Sequence, residues 1–102
     1  MDLLPPREIF GRRLRVVRER EGLSQRALGV EAGLNPSIAS TRINRYEKGV
    51  HEPDMATVAA LANVLNVDRA YFYCVDDRLA QFLLLFSRLS RKSQTDTLAR
   101  LL

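Results

Sequence analysis

Along almost its whole length this chain repeats apolar residues every three or four positions, and nowhere does it alternate apolar with polar. Ile9, Phe10, Leu14 and Val17 fall on one helical face, and Val58, Leu61, Ala62 and Leu65 on another. Leu79, Phe82, Leu83, Phe86 and Leu89 form a third stripe, with Leu84 on the opposite side. Helical side chains return to one face about every 3.6 residues, whereas a strand needs a period of two. The expected fold is therefore all-α.

The breaks between stripes carry helix-end chemistry. Gly22 sits where a left-handed cap belongs, and Ser24 is a good N-cap for the segment that follows. Gly33 suits a sharp turn that needs positive φ. Asn35-Pro36 is a start signal, because proline lacks only an N–H that a first helical turn does not use. A helix from about Pro36 to Glu47, closed by Gly49, is the expectation here. Pro53-Asp54 precedes a fourth helix, and Asp68 caps a short fifth one holding Tyr71 and Phe72. A longer helix spans about Asp77 to Leu89. A Ser93…Asp96 capping pattern then opens a last helix with Leu98, Leu101 and Leu102.

Size and composition narrow the function classes. The chain has 102 residues, 46% hydrophobic and 27% charged, which suits one compact folded domain. Its apolar runs, such as Phe82 to Phe86, are far shorter than the roughly 18 residues of a membrane span. The first residues, Met1 to Pro6, lack the basic and apolar regions of a signal peptide. A cytoplasmic location is expected. A single cysteine, Cys74, and a single histidine, His51, offer no internal disulfide and no metal cluster. There is no Gly-rich phosphate loop and no convincing carboxylate pair, so neither an enzyme nor a cofactor is expected.

Charge placement points to a polyanion. Residues 7–48 hold ten Arg/Lys against five Asp/Glu, while the remainder holds six against seven. Arginine outnumbers lysine fourteen to two, which favours bidentate contacts with phosphate or guanine. Intrahelical pairs such as Glu8 with Arg12 are the alternative account of these charges.

Four pieces then occur in a specific order: GLSQRAL (Gly22 to Leu28), EAGL (Glu31 to Leu34), INRYEKG (Ile43 to Gly49) and PDMATVAALANVLNV (Pro53 to Val67). Together they make the stretch from Arg13 to Phe72 resemble the lambda-repressor-like, or XRE-family, helix-turn-helix. The resemblance implies a five-helix DNA-binding domain over residues 7–73 and an added helical extension over 74–102. Close crossing of the two central helices requires small residues, and Ala27, Gly29, Ala32, Gly33 and Ala39 meet that need. Gly29 stands where the family commonly has alanine.

Relative to the family pattern, four residues are inserted between the Ala-Gly turn and Ile43. Four residues advance a helix by about 400°, close to a whole turn, so an extended third helix keeps Ala39, Ile43 and Tyr46 inward. The Asn35-Pro36 start favours that extension; the alternative is a longer turn with Ser40 as N-cap. Counting back from Glu47, the resemblance implies base reading by Ser40, Thr41, Arg42 and Arg45, with Asn44 beside them. Arginine suits guanine, asparagine suits adenine and hydroxyls adapt to either base or phosphate. Phosphate contacts are expected from Ser24 and Gln25 at a helix N-terminus, and from Lys48, Arg12 and Arg13. Asn35 and Ser37 are expected near the groove or phosphates if the helix is extended.

One short helix reads few base pairs, so double-stranded DNA would be bound by a homodimer. The tail is expected to supply the subunit contact through Leu84, Leu85, Leu98 and Leu101. A transcriptional regulator acting as repressor or autoregulator is the leading reading. The rival is an antitoxin or similar module whose apolar tail binds another protein.

Overall fold

The computed structural model describes residues 4–102; Met1–Leu3, part of the stretch read for a signal peptide, lie outside the described residues. Seven helices follow in order: α1 (Pro6–Arg20), α2 (Gln25–Glu31), α3 (Ala39–Glu47), α4 (Met55–Leu65), α5 (Arg69–Tyr73), α6 (Asp77–Ser87) and α7 (Arg91–Leu101). No strand occurs among the described residues, and the all-α expectation holds.

The helix starts follow from capping side chains. Ser24 Oγ accepts from the Ala27 N–H at 2.9 Å, Asp54 Oδ1 from Thr57 at 2.7 Å, and Asp68 Oδ1 from Ala70 at 2.8 Å. Each satisfies one amide that a first turn leaves without a partner, a contribution of about 1 kcal/mol. Phe10, Leu14 and Val17 of α1 bury against Leu28, Ile43, Tyr46, Val58, Leu61, Leu65, Tyr71 and Phe72. The Phe10 and Phe72 rings lie 4.8 Å apart at the centre of this core. Burying each such side chain stabilises the fold by roughly 1.5–3 kcal/mol, which fixes five short helices around one apolar centre.

Three expectations are corrected. The third helix does not begin at Pro36. Asn35 Oδ1 accepts from the Ser37 N–H at 2.9 Å and the Ile38 N–H donates to the Asn35 carbonyl, closing one isolated turn. Ile38 then takes φ −121°, ψ −5°, which breaks the helical path, and α3 starts at Ala39. The four extra residues lengthen the turn, not the recognition helix.

The long C-terminal helix, α6, is rotated from its expected phase. Ala80 and Leu84 are buried, while Leu79, Phe82 and Leu89 of the expected stripe are exposed. Leu84, expected in a subunit contact, is 3% exposed and belongs to the monomer's own core. Arginines at both ends of α6 set this phase. Arg13 donates to the Cys74 and Val75 carbonyls just before the helix, and Arg88 just after it donates to the Leu65 carbonyl and pairs with Glu21. Small Ala80 then faces the body.

The last helix begins earlier than expected. Ser90 caps it, its Oγ accepting from the Ser93 N–H at 3.1 Å, so Ser93 lies inside the first turn. No residue of α7 is buried.

Candidate nucleic-acid interface

Two close approaches position α3. A Cβ on Gly29 of α2 would lie 2.7 Å from Ala39 Cβ, so the crossing of α2 and α3 requires glycine where alanine would collide. That explains a residue whose low helix propensity is otherwise unfavourable by about 1 kcal/mol. Gly11 of α1 plays a part that spacing alone did not reveal: a Cβ there would lie 2.5 Å from the Glu47 carbonyl oxygen. The end of α3 therefore rests directly on α1. Gly33, at φ +92°, makes the turn out of α2.

With its inner face so fixed, α3 divides cleanly. Ala39, Ile43 and Tyr46 are buried; Ser40, Thr41, Arg45 and Lys48 are exposed; Arg42 and Asn44 are half-buried at the margins. An Arg42 amino group lies 3.5 Å from the Tyr46 hydroxyl. The Asp54 carboxyl is held below its usual range, first by the Thr57 N–H and also by the charge of Arg42. Arg45 makes no ion pair among the described residues.

Beneath this surface lies a largely covered ion pair. Arg18 Nε and Nη2 meet the two Glu47 carboxylate oxygens at 2.5 and 3.1 Å, with the side chains 12% and 4% exposed. Arg18 also donates to the Leu23 carbonyl at 2.9 Å, and Gln25 Nε2 donates to Glu47 Oε1 at 3.1 Å. This fork ties the end of α1, the start of α2 and the end of α3 together. The bond to Glu47 is the main reason the Arg18 guanidinium is held charged more firmly than usual. Glu47 thus organises the end of α3, and its charge is balanced by Arg18.

The expected phosphate contacts separate into two groups. Gln25, Asn44 and Lys48 line one shallow depression together with the Arg18–Glu47 pair, and Ser24 caps α2 beside Gln25. Arg15 lines the same depression and was not among the expected contacts. Its signal in the sequence is spacing: it lies one turn before Arg18 on α1. Arg15 pairs with Glu19 at 2.8 Å, so that α1 carries this exposed pair in place of Glu8 with Arg12. Asn35 and Ser37 are exposed, but they bond to each other in the turn before α3. Arg12 is exposed on α1. Arg13 is not available: its guanidinium is engaged by Cys74, Val75 and Asp77, at 2.9, 3.1 and 3.0 Å. The α1 face that carries Arg13 meets the α5–α6 junction, whereas the face with Arg15 and Arg18 meets α3.

Cys74 is half-buried, its Sγ 3.4 Å from the Asp76 carbonyl. Among the described residues no three His, Cys, Asp or Glu side chains cluster as metal ligands, and no helix is long and apolar enough to cross a membrane.

A short helix with an exposed polar and basic face, crossed by a second helix through a glycine turn, defines a helix-turn-helix module. The sequence matches the family model of the helix-turn-helix domain over residues 9–71, and the chain belongs to that family. The fold is similar to that of the crystal structure of transcriptional regulator BswR, with a TM-score of 0.85 and 40% identity over 89% of this chain and 90% of that one. No match is found among curated proteins. The protein is a DNA-binding helix-turn-helix regulator of the XRE type.

Proposed function

We propose that this regulator is a cytoplasmic homodimer that reads an inverted repeat and acts as a repressor or autoregulator by occupying promoter DNA. The observation that carries the reading is the outer face of α3, where Thr41, Asn44, Arg45 and Lys48 stand opposite the buried Ala39, Ile43 and Tyr46. In this reading Thr41, Asn44 and Arg45 meet base edges, with Ser40 and Arg42 at the margins of the groove. Ser24, Gln25, Lys48, Arg12 and Arg15 take the flanking phosphates. Asn35 and Ser37 approach the backbone from the lengthened turn. Residues 7–73 form the reading domain and 74–102 the extension that joins two copies. The exposed Leu85, Leu98 and Leu101, with Leu79 and Phe82, support a subunit contact on that extension. Two copies would place their recognition helices in half-sites about 34 Å apart.

The same exposed leucines favour a second reading, in which the tail binds another protein, as an antitoxin binds a toxin. Affinity selection of fragmented genomic DNA, followed by sequencing, separates the two. An inverted repeat near promoters, bound by a dimer of 2 chains in light scattering, is the expected result. Recovery no better than random DNA from folded protein would favour the protein-binding role. With the selected duplex in hand, Arg45→Ala is expected to weaken binding by roughly 1–3 kcal/mol and to relax the preference at one base pair. An equal loss on random duplex would make Arg45 a phosphate contact instead.

A further inference from the structure

The lengthened turn before α3 holds one apolar side chain that the core does not bury. Ile38 is 40% exposed, although its backbone is engaged on both sides: its N–H donates to the Asn35 carbonyl at 3.0 Å, and its carbonyl accepts from Arg42 at 2.9 Å. Asn35 fixes the turn further through its two bonds to Ser37, at 2.9 and 2.8 Å. The side chain therefore projects from a rigid corner, and its β-branch confines χ1. Other exposed aliphatic residues lie elsewhere: Val16 on α1, Val30 on α2, Val50 past the end of α3, Met55 on α4. Ile38 alone among them adjoins the N-terminal end of α3, beside Ser40, Thr41 and Arg42.

In helix-turn-helix readers it is the N-terminal end of the recognition helix that meets the base edges in the major groove. Those edges are polar except for one group, the 5-methyl of thymine. An exposed isoleucine held at that end has a single apolar partner within such a groove. We infer that Ile38 is a specificity-determining residue that packs against the 5-methyl group of a thymine in the operator half-site. The inference rests on the proposed reading of DNA by α3. It gives the four-residue insertion a function: the lengthened turn brings an apolar contact to the groove that the helix itself, polar along its outer face, does not carry. Cytosine in place of that thymine would remove the methyl partner and set an amino group nearby.

The test uses the duplex selected from genomic DNA, with each thymine in turn replaced by deoxyuridine, which deletes the methyl and leaves base pairing intact. The wild-type protein is expected to bind about fourfold more weakly at one thymine per half-site, the factor that corresponds to one buried methyl group. Ile38→Ala should bind the thymine and deoxyuridine duplexes equally, and Ile38→Val should keep most of the discrimination. Circular dichroism melts establish that both variants are folded. If wild type is indifferent to every replacement, or if Ile38→Ala keeps the same discrimination, the inference is overturned while DNA reading stands. If no duplex is selected at all, the DNA reading itself fails and takes this contact with it.

Discussion

Glu47 shows what a single residue does in this molecule. Its carboxylate is almost fully buried, and it meets Arg18 through two hydrogen bonds and Gln25 through a third. Glu47→Gln would leave the Arg18 guanidinium desolvated without its counter-charge. Removing one partner of this largely covered pair costs hydrogen bonds to a charged group, and urea denaturation is expected to show a loss of roughly 1.5–3 kcal/mol. Glu19→Gln is the comparison: Glu19 also meets an arginine, Arg15, but both side chains are more than half exposed, and the denaturation midpoint should barely move. The importance of Glu47 was legible in the motif INRYEKG. Its partner was not, because Arg18 and Glu47 are 29 residues apart and nothing local relates them.

Among the elements, α2 and α3 were the most legible and the start of α3 the least. Gly33 and Gly49 act through positive φ and Ser24 through its capping hydroxyl, so their roles follow from position. Asn35-Pro36 also does what its chemistry requires, which is to start a turn. That turn does not run on into α3: Ile38, at φ −121°, breaks the path, and Ala39 packs against Gly29 one residue later. The phase of α6 is likewise a matter of tertiary contact, with Arg13 holding its entrance. Arg13→Ala would leave the Cys74 and Val75 carbonyls without their donor, a loss of about 1–2 kcal/mol. Hydrogen exchange should accelerate in the first turn of α6, at Ala80 and Gln81. Arg78→Ala, on the exposed side of the same turn, should leave exchange unchanged; equal acceleration by both would mean that Arg13 does not hold the junction.

For the whole molecule, the excess of charge and the exposed leucines fall in different parts of the chain. The basic surplus lies in residues 7–48, and the exposed leucines lie beyond Asp77. In the proposed dimer, Arg12, Arg15 and Lys48 of each copy would displace counterions from several phosphates. Affinity for the selected duplex is then expected to fall on the order of 10³-fold or more between about 50 and 200 mM salt. Fluorescence anisotropy titrations across that range check this, and a flat response would count against a basic reading face. Arg13 lies outside that set, a distinction that net charge cannot make, since a guanidinium counts equally whether it faces water or holds three oxygen partners.

Sequence alone determined the all-α class, the caps at Ser24 and Asp68, the small-residue crossing of α2 and α3 and the family to which the chain belongs. These rest on interactions within a turn or two of helix, or on a motif whose parts keep fixed spacing. Tertiary structure decided where α3 begins, which side of α6 is buried, that Leu84 is core, and that Arg15 and not Arg13 borders the recognition helix. Each of these compares two faces or starts with similar local preference. Contacts from distant segments supply the few kcal/mol that separate them.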